Sequence, residues 1–208
     1  MKQNKQSLHI IGVTGGIGAG KSEVLAYIEK HYNCRVYLAD QVAHLVKEVG
    51  QEAYLPLVKL LGEEVLCEDG SICKNQMAEK IFSDQTLLEQ VNQIVHPAVK
   101  RFILNAIEEA KAKQDIELLF IEAALLIEAG YIDVVDELWY IFADIETRTA
   151  RLMANRGYST QKVQSIMDKQ LSEEAFRKHC DFVIDNSGEL TTTYAQIDKK
   201  LEGYTWLE

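Results

Sequence analysis

The chain has 208 residues, enough for one α/β domain with modest insertions, and its 47% hydrophobic and 26% charged residues are ordinary for a globular protein. Its net charge of −10 argues against a nucleic-acid backbone as a partner for the surface as a whole. No apolar run approaches the roughly 20 residues of a membrane-spanning helix, and the N-terminus lacks a signal-peptide pattern, so we expect a cytoplasmic protein that binds neither membrane nor nucleic acid.

The first predicted element is a short apolar run, Leu8–Thr14, which has no helical period and is typical of a buried strand. A glycine-rich loop follows it, and apolar residues then recur at helical spacing. A second strand is predicted over Cys34–Asp40, so that it ends on an acid. From there to about Lys113 the spacing predicts helices, with an interruption at His96-Pro97 because proline removes a helix hydrogen bond.

The second half of the chain returns to alternating strands and helices. Further buried strands are predicted within Ile116–Glu128, which runs on into a helix or loop, and over Glu137–Asp144. Helix is predicted over residues 145–178, followed by a short strand at Asp181–Asn186 and a closing helix at Leu190–Leu201. Strands that alternate with helices predict parallel pairing and a doubly wound α/β sheet.

The four cysteines are scattered and form no C-x-x-C pair. They are Cys34, Cys67, Cys73 and Cys180. A zinc site needs more closely spaced ligand pairs, so we predict four reduced thiols. Cys67 and Cys73 flank the turn-like segment "EDGSI", where we expect the two cysteines to be coincidental.

A phosphate-binding loop is predicted between the first strand and the first helix. Residues 15–22, "GGIGAGKS", match G-x-x-x-x-G-K-[ST] between a strand and a helix. The alternative is a glycine-rich turn without chemical meaning, but such a turn would not require the lysine and the hydroxyl residue. The glycines let successive backbone N–H groups face one concavity, Lys21 can reach the β- and γ-phosphates, and the Ser22 hydroxyl can bind Mg²⁺. The residues predicted here to hold ATP are Gly16, Ile17, Gly18, Ala19, Gly20, Lys21, Ser22 and Glu23.

Asp40, at the end of the second predicted strand, is the first candidate on the acceptor side. Ligands of open parallel sheets bind beyond the carboxyl ends of the strands, where this carboxylate can take the proton of an attacking hydroxyl. The alternative is that Asp40 caps the helix that runs from Val42 onward. Spacing alone leaves both interpretations open, and one residue can serve both.

Three of the six arginines cluster at Arg148, Arg151 and Arg156. Guanidinium groups suit phosphoryl transfer because they stabilise the charge that develops on the moving group. Gly157, directly after Arg156, offers a hinge at which a lid can close over the nucleotide. The alternative is a solvated basic face on an acidic protein.

With these residues in place, the chain resembles the dephospho-CoA kinase family from Ile10 to about Gly188. The motifs that carry the resemblance are "GVTGGIGAGKS", "ADQVAHLV", "IFSD", "IVHPAV", "ALLIE", "RLMANRG" and "VIDNSG". The resemblance implies a P-loop kinase fold in a single chain unit, 1–208, with an inserted helical substrate domain and a helical lid. The boundaries we expect are 8–40, 114–145 and 180–205 for the core, 41–113 for the insertion and 146–179 for the lid.

The resemblance implies ATP-dependent phosphorylation, with Mg²⁺, of the 3′-hydroxyl of dephospho-CoA to give CoA and ADP. It implies that Asp40 is the base, that Arg156 is a lid arginine on the ATP phosphates, and that Asn186 lies near the adenine. His96 falls in the substrate domain, where it contacts the substrate or is a buried histidine at a helix end.

The chain departs from the family's pattern at several positions. Leu38 stands where the family commonly has the first of two acids. Glu122 stands where it has the aspartate of Asp-x-Pro-Leu-Leu, so the implied metal- or water-positioning role of that acid is open here, and Phe176 stands where a basic residue is often expected.

Two alternatives to this function remain open. One is a P-loop kinase of a nucleoside or nucleotide. The other is a nucleotide-sensing module without kinase activity. A monomer is favoured, although the sequence leaves the oligomeric state open.

Overall fold

The chain forms two compact units, which we call the sheet unit and the helical unit. The sheet unit comprises Met1–Val36 and Ala110–Glu208, and the helical unit is Tyr37–Glu109. The computed structural model describes residues 8–82, 84–123, 126 and 131–204. The boundaries predicted for the insertion and the lid remain predictions, because the two units are distinguished only by how compact they are.

A five-stranded sheet with the order β2-β3-β1-β4-β5 organises the sheet unit. β1 pairs in parallel with β3 and with β4, and β4 pairs in parallel with β5, which confirms the predicted α/β class. The apolar runs become strands because a parallel sheet buries both of its faces. The strands are β1 His9–Thr14, β2 Cys34–Leu38, β3 Leu118–Glu122, β4 Glu137–Phe142 and β5 Phe182–Asp185.

The strand predicted within Ile116–Glu128 is therefore shorter, ending at Glu122. Residues 124, 125 and 127–130, which include most of the "ALLIE" motif, lie outside the described residues.

Nine α-helices occur in the described part of the chain. None of them is long and apolar enough to cross a membrane. They are α1 Lys21–His31, α2 Ala39–Leu45, α3 Tyr54–Leu61, α4 Lys74–Phe82, α5 Gln85–Lys113, α6 Ile145–Arg156, α7 Thr160–Met167, α8 Glu173–His179 and α9 Leu190–Glu202.

The second strand ends at Leu38, two residues earlier than predicted, and Asp40 lies in the first turn of α2. Leu38 occupies the N-cap position, and no side chain caps this helix. The capping alternative for Asp40 is therefore wrong. A carboxylate in the first turn interacts favourably with the helix dipole, so Asp40 is compatible with this position.

Helix α5 continues through His96 and Pro97, so the predicted interruption is wrong. An internal proline costs about 3 kcal/mol, but burial of each large apolar side chain contributes roughly 1.5–3 kcal/mol. The apolar stripe that continues on both sides of the proline consists of Val91, Val95, Val99 and Ile103. His96 is exposed in mid-helix, so the alternative of a buried histidine at a helix end is also wrong.

A disulfide joins Cys67 to Cys73, which overturns the prediction of reduced thiols for this pair. The bridge Leu66↔Ile72 and the turn at Gly70, where φ is 79°, bring the two Cα atoms to 5.2 Å. That separation lies within the range disulfides require, and spacing along the chain does not reveal it. Cys34 and Cys180 are free, as predicted.

Candidate active site

The predicted phosphate loop lies at the carboxyl edge of the sheet. It leaves β1 after Thr14 and enters α1 at Lys21. The register sets Val13 opposite Glu122, the last residue of β3, and Thr14 opposite Tyr140 of β4. The loop and Glu122 therefore meet at the edge where open parallel sheets bind ligands.

Gly15 shows why this loop needs glycine. Its φ is +152°, and a Cβ built there would lie 2.5 Å from the backbone oxygen of Ile141. Gly20 adopts φ 89° immediately before α1. These two conformations let the backbone turn sharply from the strand into the helix, so that the N–H groups of the first helical turn face the end of β1.

We expect Gly15→Ala to destabilise the protein more than the matched variant Gly157→Ala. Both glycines have positive φ, but no atom lies within 4 Å of a Cβ built at Gly157. Gly157→Ala thus costs only the left-handed conformation, roughly 1–2 kcal/mol, whereas Gly15→Ala adds a clash with backbone. Thermal unfolding of both variants tests this expectation, and equal losses of stability would contradict it.

Lys21 is held over the loop by two partners. Its Nζ donates a hydrogen bond to the Gly15 carbonyl at 2.8 Å and lies 3.5 Å from Glu122 Oε1. The side chains of Lys21 and Glu122 are only 15% and 14% exposed. The acid that departs from the family's aspartate thus serves as a counter-ion to the loop lysine.

Arg148 contacts the tip of the loop. Its Nε donates to the Ile17 carbonyl at 2.9 Å, and its guanidinium lies against Gly16. Gln170 Oε1 accepts from Arg148 Nη2 at 2.8 Å and from Ile17 N at 3.1 Å. Burial lowers the pKa of Arg148, so these hydrogen bonds compensate for the water that the guanidinium loses. Arg148 does not belong to a solvated basic face.

Arg151 and Asn186 support the other side of the loop. Asn186 Nδ2 donates to the Ala19 carbonyl at 2.8 Å, and its Oδ1 accepts from Thr193 Oγ1 at 3.0 Å. Arg151 donates to the Asn186 carbonyl at 2.9 Å and, more weakly, to Ala19 at 3.4 Å. Asn186 is 1% exposed, so its amide supports the loop from the protein interior. Its position near an adenine remains a prediction.

The other predicted residues are exposed. Ser22 and Glu23 lie in the first turn of α1, where Glu23 Oε1 accepts from the Tyr194 hydroxyl at 2.7 Å. Arg156 ends α6 before the left-handed Gly157, and its exposed side chain makes no hydrogen bond or ion pair with the described residues.

Asp40 and His96 belong to the helical unit, where both side chains are exposed. The predicted and newly found residues that contact the loop all lie in the sheet unit. They are Lys21, Glu122, Arg148, Arg151 and Asn186.

Two residues that support the loop escaped sequence reasoning: Gln170, which bonds to the loop directly, and Thr193, which bonds to Asn186. Gln170 and Thr193 carry neutral side chains that no motif singles out. Gln170 lies 153 positions from its partner Ile17. Such contacts between residues far apart in sequence exist only in the folded chain.

Comparison with known proteins agrees with this geometry. The family model "Dephospho-CoA kinase" matches residues 9–192. A dephospho-CoA kinase of Carboxydothermus hydrogenoformans is 33% identical over 199 residues, which cover 96% of each chain.

Two solved structures have a similar fold. A protein from Thermus thermophilus has a TM-score of 0.77 at 28% identity, covering 96% of this chain and 99% of its own. Dephospho-CoA kinase from Campylobacter jejuni has a TM-score of 0.71 at 19% identity, covering 93% and 95% respectively, which is evidence for the fold alone. Taken with the family model and the curated relative, these likenesses show that the chain belongs to the dephospho-CoA kinase family and has its P-loop kinase fold.

Proposed function

We propose that this protein transfers the γ-phosphoryl group of ATP to the ribose 3′-hydroxyl of dephospho-CoA, giving CoA and ADP. The observation that carries the proposal is Lys21, held over a complete phosphate loop by Gly15 and Glu122 in a chain of this family. A structural loop has no need of a partly buried ammonium group at this place.

The loop residues contribute by positioning and by electrostatics. Phosphoryl transfer passes through a loose transition state, so the protein gains most from fixed charges and donors around the moving group. Lys21 supplies one such charge, and Glu122 keeps its ammonium group directed at the loop. Arg148 and Arg151 bond to loop carbonyls, which fixes the backbone conformation of the loop.

The residues present fit Mg²⁺. The Ser22 hydroxyl lies exposed in the first turn of α1, bound to no other described side chain, and offers the hard oxygen that this ion prefers. The described residues contain no cluster of three acidic, histidine or cysteine ligands, so phosphate oxygens and water would complete the shell. Held by the Ser22 hydroxyl, the ion would supply positive charge that offsets the negative charge of the phosphates.

In this proposal Asp40 and His96 bind the acceptor substrate, dephospho-CoA. Asp40 orients the 3′-hydroxyl and takes its proton as the new P–O bond completes. The exposure of both side chains in the helical unit leaves them accessible to a ligand. Arg156 contacts the ATP phosphates from the lid. A cytoplasmic, monomeric enzyme is part of the same proposal.

The test is ADP release by the protein with ATP and Mg²⁺, measured before and after addition of dephospho-CoA. We expect a large stimulation by dephospho-CoA and none by nucleosides or nucleotides. Stimulation by a nucleoside or nucleotide instead would favour the alternative that the protein is a nucleoside or nucleotide kinase. ATP binding without any stimulated release would favour a nucleotide-sensing module.

We expect Arg156→Ala to lower kcat much more than it raises the KM for dephospho-CoA. The Arg156 side chain has no partner among the described residues, so a role in holding the fold together does not account for it. Loss of one preorganised donor typically costs about 10²–10³ in rate. Lys178→Ala, which removes an exposed cation of α8, is the matched control. Equally mild effects of the two substitutions would leave Arg156 as a solvated charge.

A further inference from the structure

The disulfide of the helical unit closes a short hairpin. Cys67 N donates to the Ser71 carbonyl at 2.8 Å, and Cys73 N donates to the Val65 carbonyl at 2.8 Å. Both cysteines are half-buried rather than enclosed. Exchange at this disulfide needs a ligand that brings a thiol to the hairpin.

The two sulfur atoms differ as leaving groups. Cys73 directly precedes α4, and its carbonyl accepts from Met77 N at 2.9 Å, so its sulfur lies at the positive end of that helix. Lys74 follows it, whereas Cys67 is followed by the acids Glu68 and Asp69. A helix N-terminus and a neighbouring cation stabilise a thiolate, and a stable thiolate leaves faster. The bond is thus set to release Cys73.

A cavity of about 240 Å³ adjoins the hairpin within the helical unit. Burial lowers the pKa of Lys47, and repulsion by the ammonium group of Lys74 lowers it further. Glu48 is the one acidic residue among those that line the cavity, and His44 lines it as well. The remaining lining residues are Ser71, Ile72, Met77, Ala78 and Ile81. This wall suits a ligand with an anionic group and an aliphatic arm.

We propose that the Cys67–Cys73 disulfide is a thiol–disulfide exchange site for a phosphorylated pantetheine thiol, carried by dephospho-CoA or by CoA. The inference rests on the proposed function, which supplies both compounds as substrate and product. The lysines attract the phosphates, the aliphatic arm lies along Met77 and Ile81, and the terminal thiol meets the hairpin.

The exchange step balances without an outside oxidant. The ligand thiol loses its proton to solvent, and its thiolate attacks Sγ of Cys67. A new sulfur–sulfur bond forms to Cys67 while the Cys67–Cys73 bond breaks, and the electron pair leaves on Cys73 Sγ. The product is a mixed disulfide at Cys67 and a reduced Cys73, so the number of disulfides is unchanged.

The test is anaerobic incubation of the oxidised protein with dephospho-CoA, CoA, 4′-phosphopantetheine or pantetheine, followed by non-reducing intact-mass spectrometry and peptide mapping. We expect a reducible adduct on Cys67 that forms roughly 10-fold faster with the phosphorylated thiols than with pantetheine, since charge focusing raises local ligand concentration. Lys47→Ala should remove that preference, and Lys59→Ala, at an exposed lysine outside the cavity, should keep it. The relative rates with dephospho-CoA and CoA identify which of them reacts.

Three results would overturn the inference: equal rates with pantetheine, free thiols at both positions of the air-oxidised protein, or an adduct on another cysteine. Burial raises the pKa of the Cys34 thiol to about 11 and that of Cys180 to about 12, so these two thiols serve as internal controls. ADP release is measured on the same samples. Kinase activity without an adduct overturns this inference alone, and an adduct without kinase activity overturns the proposed function alone.

Discussion

Replacing Lys21 by alanine is expected to abolish phosphoryl transfer while the protein stays folded. The Lys21 ammonium group bonds to the Gly15 carbonyl and to Glu122, and its loss removes a fixed charge from the phosphate site. Losing one such group typically costs about 10²–10³ in rate, and this lysine serves binding as well as the transition state. The measurements are single-turnover ADP formation and ATP binding by calorimetry.

The controls for this substitution separate chemistry from stability. Lys30→Ala removes an exposed cation from the last turn of the same helix and should leave turnover unchanged. Lys21→Ala also takes a partner from Glu122, so any loss of thermal stability should be recovered in Lys21→Ala combined with Glu122→Gln. Near-normal ADP formation by a well-folded Lys21→Ala protein would refute the phosphate-loop assignment.

Asp40→Asn is expected to bind ATP and Mg²⁺ normally and to transfer phosphate very slowly. A carboxylate that positions the acceptor hydroxyl and takes its proton contributes roughly 10²–10⁴-fold, and the nearly isosteric amide cannot take that proton. Asp40 is exposed and makes no capping bond, so the fold should lose only the charge–dipole interaction of α2, about 0.3–1 kcal/mol.

Single-turnover rates and thermal melts of Asp40→Asn and Glu79→Gln check this expectation. Glu79 is an exposed acid on α4 of the same unit, so its amide variant controls for the loss of one surface charge. If Asp40→Asn transfers phosphate as fast as Glu79→Gln, the proton acceptor must be another residue.

Local patterns in the sequence determined the class of fold and the centre of the site. The strand before Gly15, the loop and the helix that begins at Lys21 depend on interactions among neighbouring residues, so spacing and residue type reveal them. The same holds for the alternation of apolar strands with helices, which predicts the parallel sheet. Glu122 could be named as a departure from the family, but its ion pair with Lys21 depends on strand register.

Tertiary structure alone decided which groups hold the loop and where single elements end. The contacts of Ile17 with Gln170 and of Ala19 with Asn186 join residues 153 and 167 positions apart, and no local periodicity encodes such pairs. Pro97 stays helical because long-range burial outweighs its local cost, and the Cys67–Cys73 disulfide depends on a turn that brings the two Cα atoms to 5.2 Å. Each of these features arises from a balance of distant contacts against local preference, which only the folded chain expresses.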